Sequence, residues 1–364
     1  MDNKPQRNRH SKRNSRRKAV RRRKMILLAI EFVVLLLLLV VLFAITKLGK
    51  IHKDELDPDK VEVNQDISAE SQEIMSGYQT IALFGLDNRS NGDLSKGRSD
   101  VIMLANINND TKEVKLVSVY RDSYLDVGSG SFQKCNAAYA LGGPEQAISM
   151  LNVNLDLDIQ NYVTVDFNAI VECVDLLGGV EIEITDDEAV LMTGYIKEIN
   201  KITKNKAEYL TKGGTYNLNG VQACAYARIR YGGGDDYRRT ERQRTVLTAM
   251  VKKAQKSDLV TVNKLINQVC GDIQTSFSNT ELIALASQVF SYSIGESTGF
   301  PFTKATKVMS KKIGDVVVPC DLCTNVVQLH EFMFDDTDYQ VSDTVSKNSA
   351  KIISDTGYRA GDGF

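Results

Sequence analysis

Twenty-one consecutive residues, Met25 to Ile45 (MILLAIEFVVLLLLLVVLFAI), carry a single charge, Glu31, and seventeen Leu, Ile, Val or Phe side chains. A helix over that stretch is about 31 Å long, the thickness of a bilayer's hydrocarbon core. At about −0.5 kcal/mol each, the apolar side chains outweigh the roughly +3 kcal/mol for one acid at the helix centre. The run therefore reads as a single transmembrane helix. A signal peptide is the alternative, but its apolar region is shorter, about 7–15 residues, and precedes a small-residue cleavage site. TKLGKIHKDELDP, which follows here, offers no clear cleavage site.

The formal net charge of −1 hides a division at this helix. Residues 1–24 hold twelve Lys or Arg against Asp2, a net +11, and the remainder is −12. The positive-inside rule puts the basic tail in the cytoplasm and residues 46–364 outside the cell membrane. An acidic exported domain is a poor nucleic-acid binder, so no nucleic-acid partner is expected. Only three histidines occur, His10, His52 and His330, and the first two precede any expected core. That argues against a histidine-dependent nucleophilic triad and against a multi-histidine metal site.

The exported chain divides into a polar, acid-rich stalk over 46–77, a domain over 78–335 and a C-terminal helix and tail over 336–364. QTIALFGLD, DVIMLANIN, EVKLVSVYRD, NYVTVDF and GGVEIEIT read as strands, the second and third joined as a hairpin by Asn108, Asn109 and Asp110. PEQAISMLNVNL starts a helix at Pro144, and AIVECVDLL reads as another. Helical patterns also cover 218–255, 259–270 and 279–292. NVVQLHEFMF and DTVSKNSAKII read as helices with Asn325 and Asp343 as N-caps. Interleaved strands and helices predict a three-layer α/β/α domain with a central mixed sheet.

All six cysteines, Cys135, Cys173, Cys224, Cys270, Cys320 and Cys323, lie in the exported part. Up to three disulfides are open to them, and buried free thiols are equally open. Cys320 and Cys323 form a C-x-x-C that fits a local bridge, a redox pair or, with His330, part of a zinc site.

Charge placement carries the chemistry. AYARIRYGGGDDYRRTERQRTVLTAMVKKA holds six arginines between Arg228 and Arg244. Arg239, Gln243, Leu247, Met250 and Ala254 fall on one helical face. Cations at a helix N-terminus oppose the macrodipole, and Arg238 and Arg242 repel at i,i+4. A bound anion reverses both penalties; local ion pairs with Asp235, Asp236 and Glu241 are the plain alternative. Asp87 (GLDNRS), Asp100 (GRSDVIML) and Arg121 (SVYRD) all sit at strand ends. Carboxylates so placed beside arginine suit a hard cation against a phosphate. Three strand ends and one helix start, all rich in Arg and Asp, predict one shared pyrophosphate-sized site.

In order over residues 79–255, IALFGLDNRSNGDLSKGRSDVIMLANIN, VKLVSVYRDSYLDV, KCNAAYALGG, YVTVDFNAIVECVDLLGGVEI, LNGVQACAYARIR and GDDYRRTERQR resemble the LytR-CpsA-Psr proteins. Tyr120, where proline commonly precedes Arg-Asp, and Arg238, where glycine is usual, depart from the pattern. The resemblance implies a phosphotransferase that moves a glycopolymer (teichoic acid, capsule or similar) from a polyprenyl-pyrophosphate carrier to peptidoglycan. It implies Asp87 and Asp100 as holders of Mg²⁺ (or Mn²⁺). It implies Arg98, Arg121, Lys134, Arg228, Arg230, Arg239 and Gln243 as the pyrophosphate-binding group. Asp100, Asp236 and Arg121 would be catalytic, either acid accepting the incoming hydroxyl's proton. An apolar tunnel for the lipid would draw on Val163, Val165, Phe167, Ile170, Val174 and Leu247, although as a set they read more simply as core. Hydrolysis of the lipid pyrophosphate, a module that binds without chemistry, and a non-enzymatic regulator of transcriptional attenuation are the competing functions.

Overall fold

Asn108 reverses the chain between two apolar runs: its side chain accepts from the backbone N–H groups of Asp110 and Thr111, both at 2.9 Å. The strands on either side then pair as their alternation requires. The computed structural model describes residues 52–53, 56–86, 94, 97–230, 236–258, 261, 264–265 and 273–364. The expected basic tail and membrane helix, Asp87, residues 231–235, Cys270 and most of 259–270 lie outside them. Among the described residues no helix is long and apolar enough to cross a membrane.

In chain order the elements are β1 (His52–Lys53), α1 (Ala69–Ser76), β2 (Tyr78–Leu86), β3 (Ser99–Asn108), β4 (Glu113–Val119), β5 (Tyr124–Asp126), β6 (Phe132–Lys134) and α2 (Ala137–Leu155). Then come β7 (Asn161–Asp166), α3 (Phe167–Leu176), β8 (Val180–Ile184), α4 (Asp186–Thr203), β9 (Gly214–Leu218), α5 (Gly220–Arg228) and α6 (Asp236–Gln255). Last are β10 (Ile273–Thr275), α7 (Asn279–Ser287), β11 (Ser293–Phe300), β12 (Lys304–Val308), β13 (Asp315–Pro319), α8 (Leu322–Phe334) and α9 (Asp343–Thr356).

Among the described residues the central sheet has seven strands in the order β1-β10-β7-β2-β3-β4-β11. The β2–β3–β4 meander is antiparallel, whereas β7 runs parallel to β2 and β11 parallel to β4, so the sheet is mixed. Successive side chains of a strand face opposite ways, and both faces are apolar. Phe84, Leu86, Ile102, Leu104 and Val117 pack with Ile148 and Leu151 of α2 and with Val326 and Leu329 of α8. Ile81, Met103, Ala105 and Leu116 face Leu247 of α6 and Leu282 and Leu285 of α7. Helices on both faces make the three layers. A separate cluster, Val180, Ile182 and Leu218 of the antiparallel β8–β9 pair with α3, α4 and α5, supports the side of the molecule that carries the arginines.

Several boundaries differ from the sequence reading. The continuous helical pattern over 218–255 is a strand end, helix α5 and helix α6. Asn219 starts α5 with a capping box closed by Gln222, which fixes the break. The N-caps of α8 and α9 are Asp321 and Ser342 instead of Asn325 and Asp343. Asn325 lies a turn inside α8, where its side chain bonds both backbone groups of Thr303. The part of the expected stalk from residue 56 onward packs on the domain: Ile67 is in the core, and the Asn64 amide donates to buried Asp156 at 2.6 Å. The expected C-terminal tail likewise contributes Val345 and Ile352 of α9 to that core. Of the described cysteines, Cys135, Cys173, Cys320 and Cys323 are free thiols.

His330 of α8 is fully buried, stacked on Tyr339 with ring centroids 3.5 Å apart, and its Nε2–H donates to the Leu155 carbonyl at 3.0 Å. Burial pushes its pKa down to about 4, from an ordinary 6.5. Between those values the unfolded chain binds a proton that the folded chain refuses. The stability of the neutral form is therefore complete above about pH 6.5 and falls with pH below it, by up to about 3 kcal/mol near pH 4. Urea-unfolding midpoints followed by tyrosine fluorescence should be flat above pH 7 and drop from pH 6.5 to 5. His330→Gln should remove most of that slope.

Candidate active site

The site is assembled at the ends of elements. Asp100 is the second residue of β3, Arg121 and Asp122 follow β4, Lys134 ends β6, Arg228 ends α5, and Asp236, Arg239 and Gln243 occupy the first two turns of α6. Gly220 helps set the position of Arg228. A Cβ there would lie 2.1 Å from the Val171 carbonyl oxygen, so only glycine lets α5 lie this close to α3.

Asp236 is the hub. Its Oδ1 lies 2.6 Å from Arg239 Nη2, 3.8 Å from Arg121 Nε and 4.0 Å from Arg230 Nη2. Arg121 also pairs closely with Asp100 and lies 3.7 Å from Asp122, which in turn holds Lys134 at 3.1 Å. Arg228 lies over the rings of Phe167 and Tyr195, at 5.4 and 5.8 Å, and reaches Glu198 at 3.4 Å. The Tyr195 hydroxyl accepts from the Arg230 backbone N–H at 3.2 Å. These contacts leave the buried groups under-satisfied. Asp236 Oδ2, Gln243 Oε1, Arg121 Nε and Arg239 Nε and Nη2 are shielded from solvent without a hydrogen-bond partner, the Nη2 contact with Asp236 being misaligned. Each such group costs about 1–3 kcal/mol. Burial accordingly raises the Asp236 carboxyl above the ordinary range, against the pull of Arg239 and Arg121. Burial, and then the neighbouring Arg121, lower the Arg239 guanidinium.

Asp100, Arg121, Phe167, Tyr195, Arg228, Arg230, Arg239 and Gln243 line a cavity of about 200 Å³. Phe167 and Gln243 also line a second cavity, of about 220 Å³, walled by Leu83, Val101, Met103, Val163, Val165, Ile170, Val246, Leu247 and Met250. A cationic chamber and an apolar one thus share two walls. Of the six residues weighed for a tunnel, five line the apolar chamber; Val174 is core.

The expected phosphate group is largely brought together. Arg121, Arg228, Arg230, Arg239 and Gln243 converge, with Asp236 beneath them, and Lys134 joins through Asp122. Arg98 is exposed and does not line the chamber. Asp87 lies outside the described residues, directly after Leu86, which pairs with Ser99. Sequence reasoning missed Asp122, Tyr195 and Glu198. Tyr195 and Glu198 are i,i+3 neighbours on α4, a spacing visible in the sequence, but nothing there couples it to Arg228. The local ion-pair alternative is also realised in part: Asp236 does pair with the arginines, and Arg242 is buried against Glu188 at 2.8 Å while Arg238 is exposed. Tyr120, the departure from proline, packs edge-on against Tyr237 at 4.6 Å, and its hydroxyl fills space that a side chain at Gly299 would need.

A sequence profile described as the LytR_cpsA_psr family matches residues 38–303. The chain belongs to that family. A polyisoprenyl-teichoic acid–peptidoglycan teichoic acid transferase TagU of Enterococcus faecalis is 32% identical to this family member over 211 residues, 57% of this chain and 64% of the relative. Biofilm regulatory protein A of Streptococcus mutans is 32% identical over 210 residues, 54% of this chain and 49% of that protein. The chain thus spans between half and just under two thirds of these curated relatives. A solved LytR-CPS2A-psr family protein, YwtF (TagT), with bound octaprenyl pyrophosphate lipid, shares the fold at TM-score 0.54 and 22% identity, covering 77% of this chain and 99% of its own. A protein of Streptococcus agalactiae does so at TM-score 0.58 and 23% identity, covering 77% and 93%.

A phosphate anion would satisfy the orphaned donors of this family member. Inorganic pyrophosphate should therefore raise its melting temperature, a ligand at about ten times its Kd adding about 1.4 kcal/mol. Arg239→Ala should abolish that rise, as read by differential scanning calorimetry. An unchanged rise would remove Arg239 from the anion site.

Proposed function

We propose that this protein is a membrane-anchored phosphotransferase that moves a glycopolymer from a polyprenyl-pyrophosphate carrier to peptidoglycan. One observation carries the reading: the guanidinium-lined chamber adjoins an apolar chamber, the two sharing Phe167 and Gln243 as walls. A diphosphate with a long hydrocarbon tail is the ligand class that needs both. The names of the curated relatives and the lipid named with YwtF (TagT) support the same substrate class. The apolar run before the domain supports a single-pass protein of the cell membrane, with its N-terminus in the cytoplasm and its catalytic domain outside.

The chemistry is in-line displacement at the phosphorus next to the sugar. A peptidoglycan hydroxyl attacks, the bond to the bridging oxygen breaks, a phosphodiester forms and polyprenyl phosphate leaves. Arg121, Arg228, Arg230 and Arg239 neutralise charge as it moves onto the leaving phosphate. Asp236 is the better proton acceptor: its Oδ2 is unpaired and burial raises its pKa, whereas Arg121 engages Asp100. The accepted proton can then pass to the departing phosphate.

Among the described residues no three His, Cys, Asp or Glu side chains form a metal cage. A cation that takes one or two carboxylates and completes its shell with water and substrate phosphate is the kind that fits the acids here. Mg²⁺ (or Mn²⁺) would be held by Asp100 with Asp87 and would offset phosphate charge beside the arginines.

The test is a transfer assay on the full chain with a lipid-linked donor and peptidoglycan oligomers, reading both polyprenyl phosphate and polymer-bearing glycan. Asp100→Ala and Arg239→Ala should abolish turnover, and Asp236→Asn should lower kcat about 10²–10⁴-fold. Leu247→Trp, which fills the apolar chamber, should raise KM for a long-chain donor far more than for a short-chain one. Polyprenyl phosphate released without polymer attachment would make the protein a pyrophosphatase. Lipid binding without either product would leave a binding module.

A further inference from the structure

Helix α6 has a second charged face that the pyrophosphate chamber does not use. Arg239, Gln243, Leu247 and Met250 line the two chambers just described, whereas Arg244, Lys252, Lys253 and Lys256 line a separate groove of about 560 Å³. Its other wall includes Glu181 and Asn217 of the antiparallel β8–β9 pair and Ser297 of β11, the end strand of the central sheet. Two carboxylates, Glu181 and Glu241, face these four cations, so the groove is net positive within a domain that is strongly acidic overall.

The three lysines are uncommitted, and Arg244 is only partly satisfied by its neighbours Tyr120 and Glu241. Among the described residues the three lysines make no ion pair, and Arg244 Nε and Nη1 are shielded from water without a hydrogen-bond partner. A desolvated guanidinium with open donors is unfavourable unless an anion fills them. From Arg244 to Lys253 the helix rises about 14 Å; Arg244 and Lys252 lie two i,i+4 steps apart, about 12 Å, with Thr248 between them, and Lys256 follows in the turn after Gln255. Cations are therefore set along one side of the groove, a pattern of charge complementary to a polyanion. Arg244 is the residue after Gln243 of the pyrophosphate chamber, about 100° round the helix from it, so the groove and the chamber lie on neighbouring faces of one helix.

We infer that this groove binds a linear polyanion, the phosphodiester-linked stretch of the donor's glycopolymer beyond its pyrophosphate. The inference rests on the transferase reading for the identity of the polymer, but binding can be measured without turnover. Attraction of this kind is screened by salt.

Full-length protein in phosphatidylcholine nanodiscs would be acetylated with and without a synthetic poly(glycerol phosphate) oligomer that carries no lipid, and modification read lysine by lysine by mass spectrometry. Lys252, Lys253 and Lys256 should be protected while Lys197 and Lys201 of α4 are not. K252E/K253E/K256E should weaken oligomer binding about tenfold, a change of about 1.4 kcal/mol. The same variant should raise KM for a long-polymer donor and leave KM for a donor with a single disaccharide unchanged. Protection confined to the basic tail, or full affinity in the triple variant, would overturn the proposal. So would protection by carboxylate-bearing muropeptides and not by the oligomer, which would make the groove an acceptor surface. Groove protection in a protein that transfers nothing would uphold the groove and sink the transferase reading instead.

Discussion

Five positive side chains and four carboxylates compete for charge balance around Asp236, most of them largely but not wholly shielded from water. Arg121, Arg230 and Arg239 all lean on one Asp236 oxygen, and the other oxygen has no partner. A fold selected only for stability would replace such a set with apolar groups or complete its hydrogen bonds, because half-satisfied buried charge is costly. That this one is under-satisfied on both the donor and the acceptor side is the constraint from which the functional reading follows. The surroundings are organised to tolerate it: α5 is drawn in at Gly220, Arg228 is held between aromatic rings, and the β8–β9 cluster gives the arginine-bearing segments a rigid floor.

The apolar chamber is the complementary expense. Side chains such as Val163, Val165, Ile170 and Leu247 stop short of one another, and unfilled volume in a core is destabilising. An apolar void beside a cationic one suits an amphiphile with a charged head, which ties the two defects to one ligand. The α6 helix connects all of this. One face closes the apolar chamber, its first turns line the cationic chamber, and its outer face carries lysines without ion pairs toward the sheet edge.

Much of the fold was legible. Strands β2, β3, β4 and β7 and the hairpin at Asn108 follow from apolar runs bounded by turn residues. The single face of Arg239, Gln243, Leu247 and Met250 follows from helical spacing. Legibility failed where a long-range contact decided the outcome. Residues 56–77 look like a polar stalk because Asn64 meets Asp156, its buried partner, only after folding. Tyr195 and Glu198 look like two more residues of an amphipathic helix until α5 brings Arg228 against them. Tunnel and core could not be separated in the sequence for a related reason: a residue lining a cavity and one filling a core have the same chemistry, and here Val163, Phe167, Ile170 and Leu247 do both.

By itself the sequence determined the partition of the chain into a basic tail, an apolar span and an acidic domain, the mixed α/β architecture, and the residue types able to grip a diphosphate. Those properties are local, set by charge, hydropathy and spacing along a few turns or strands. Convergence was decided by the tertiary structure alone. Arginines separated by more than a hundred residues share one carboxylate, and a void opens beside them, because strand ends and a helix start are packed to a common point. That packing depends on contacts between faces whose partners the sequence does not name.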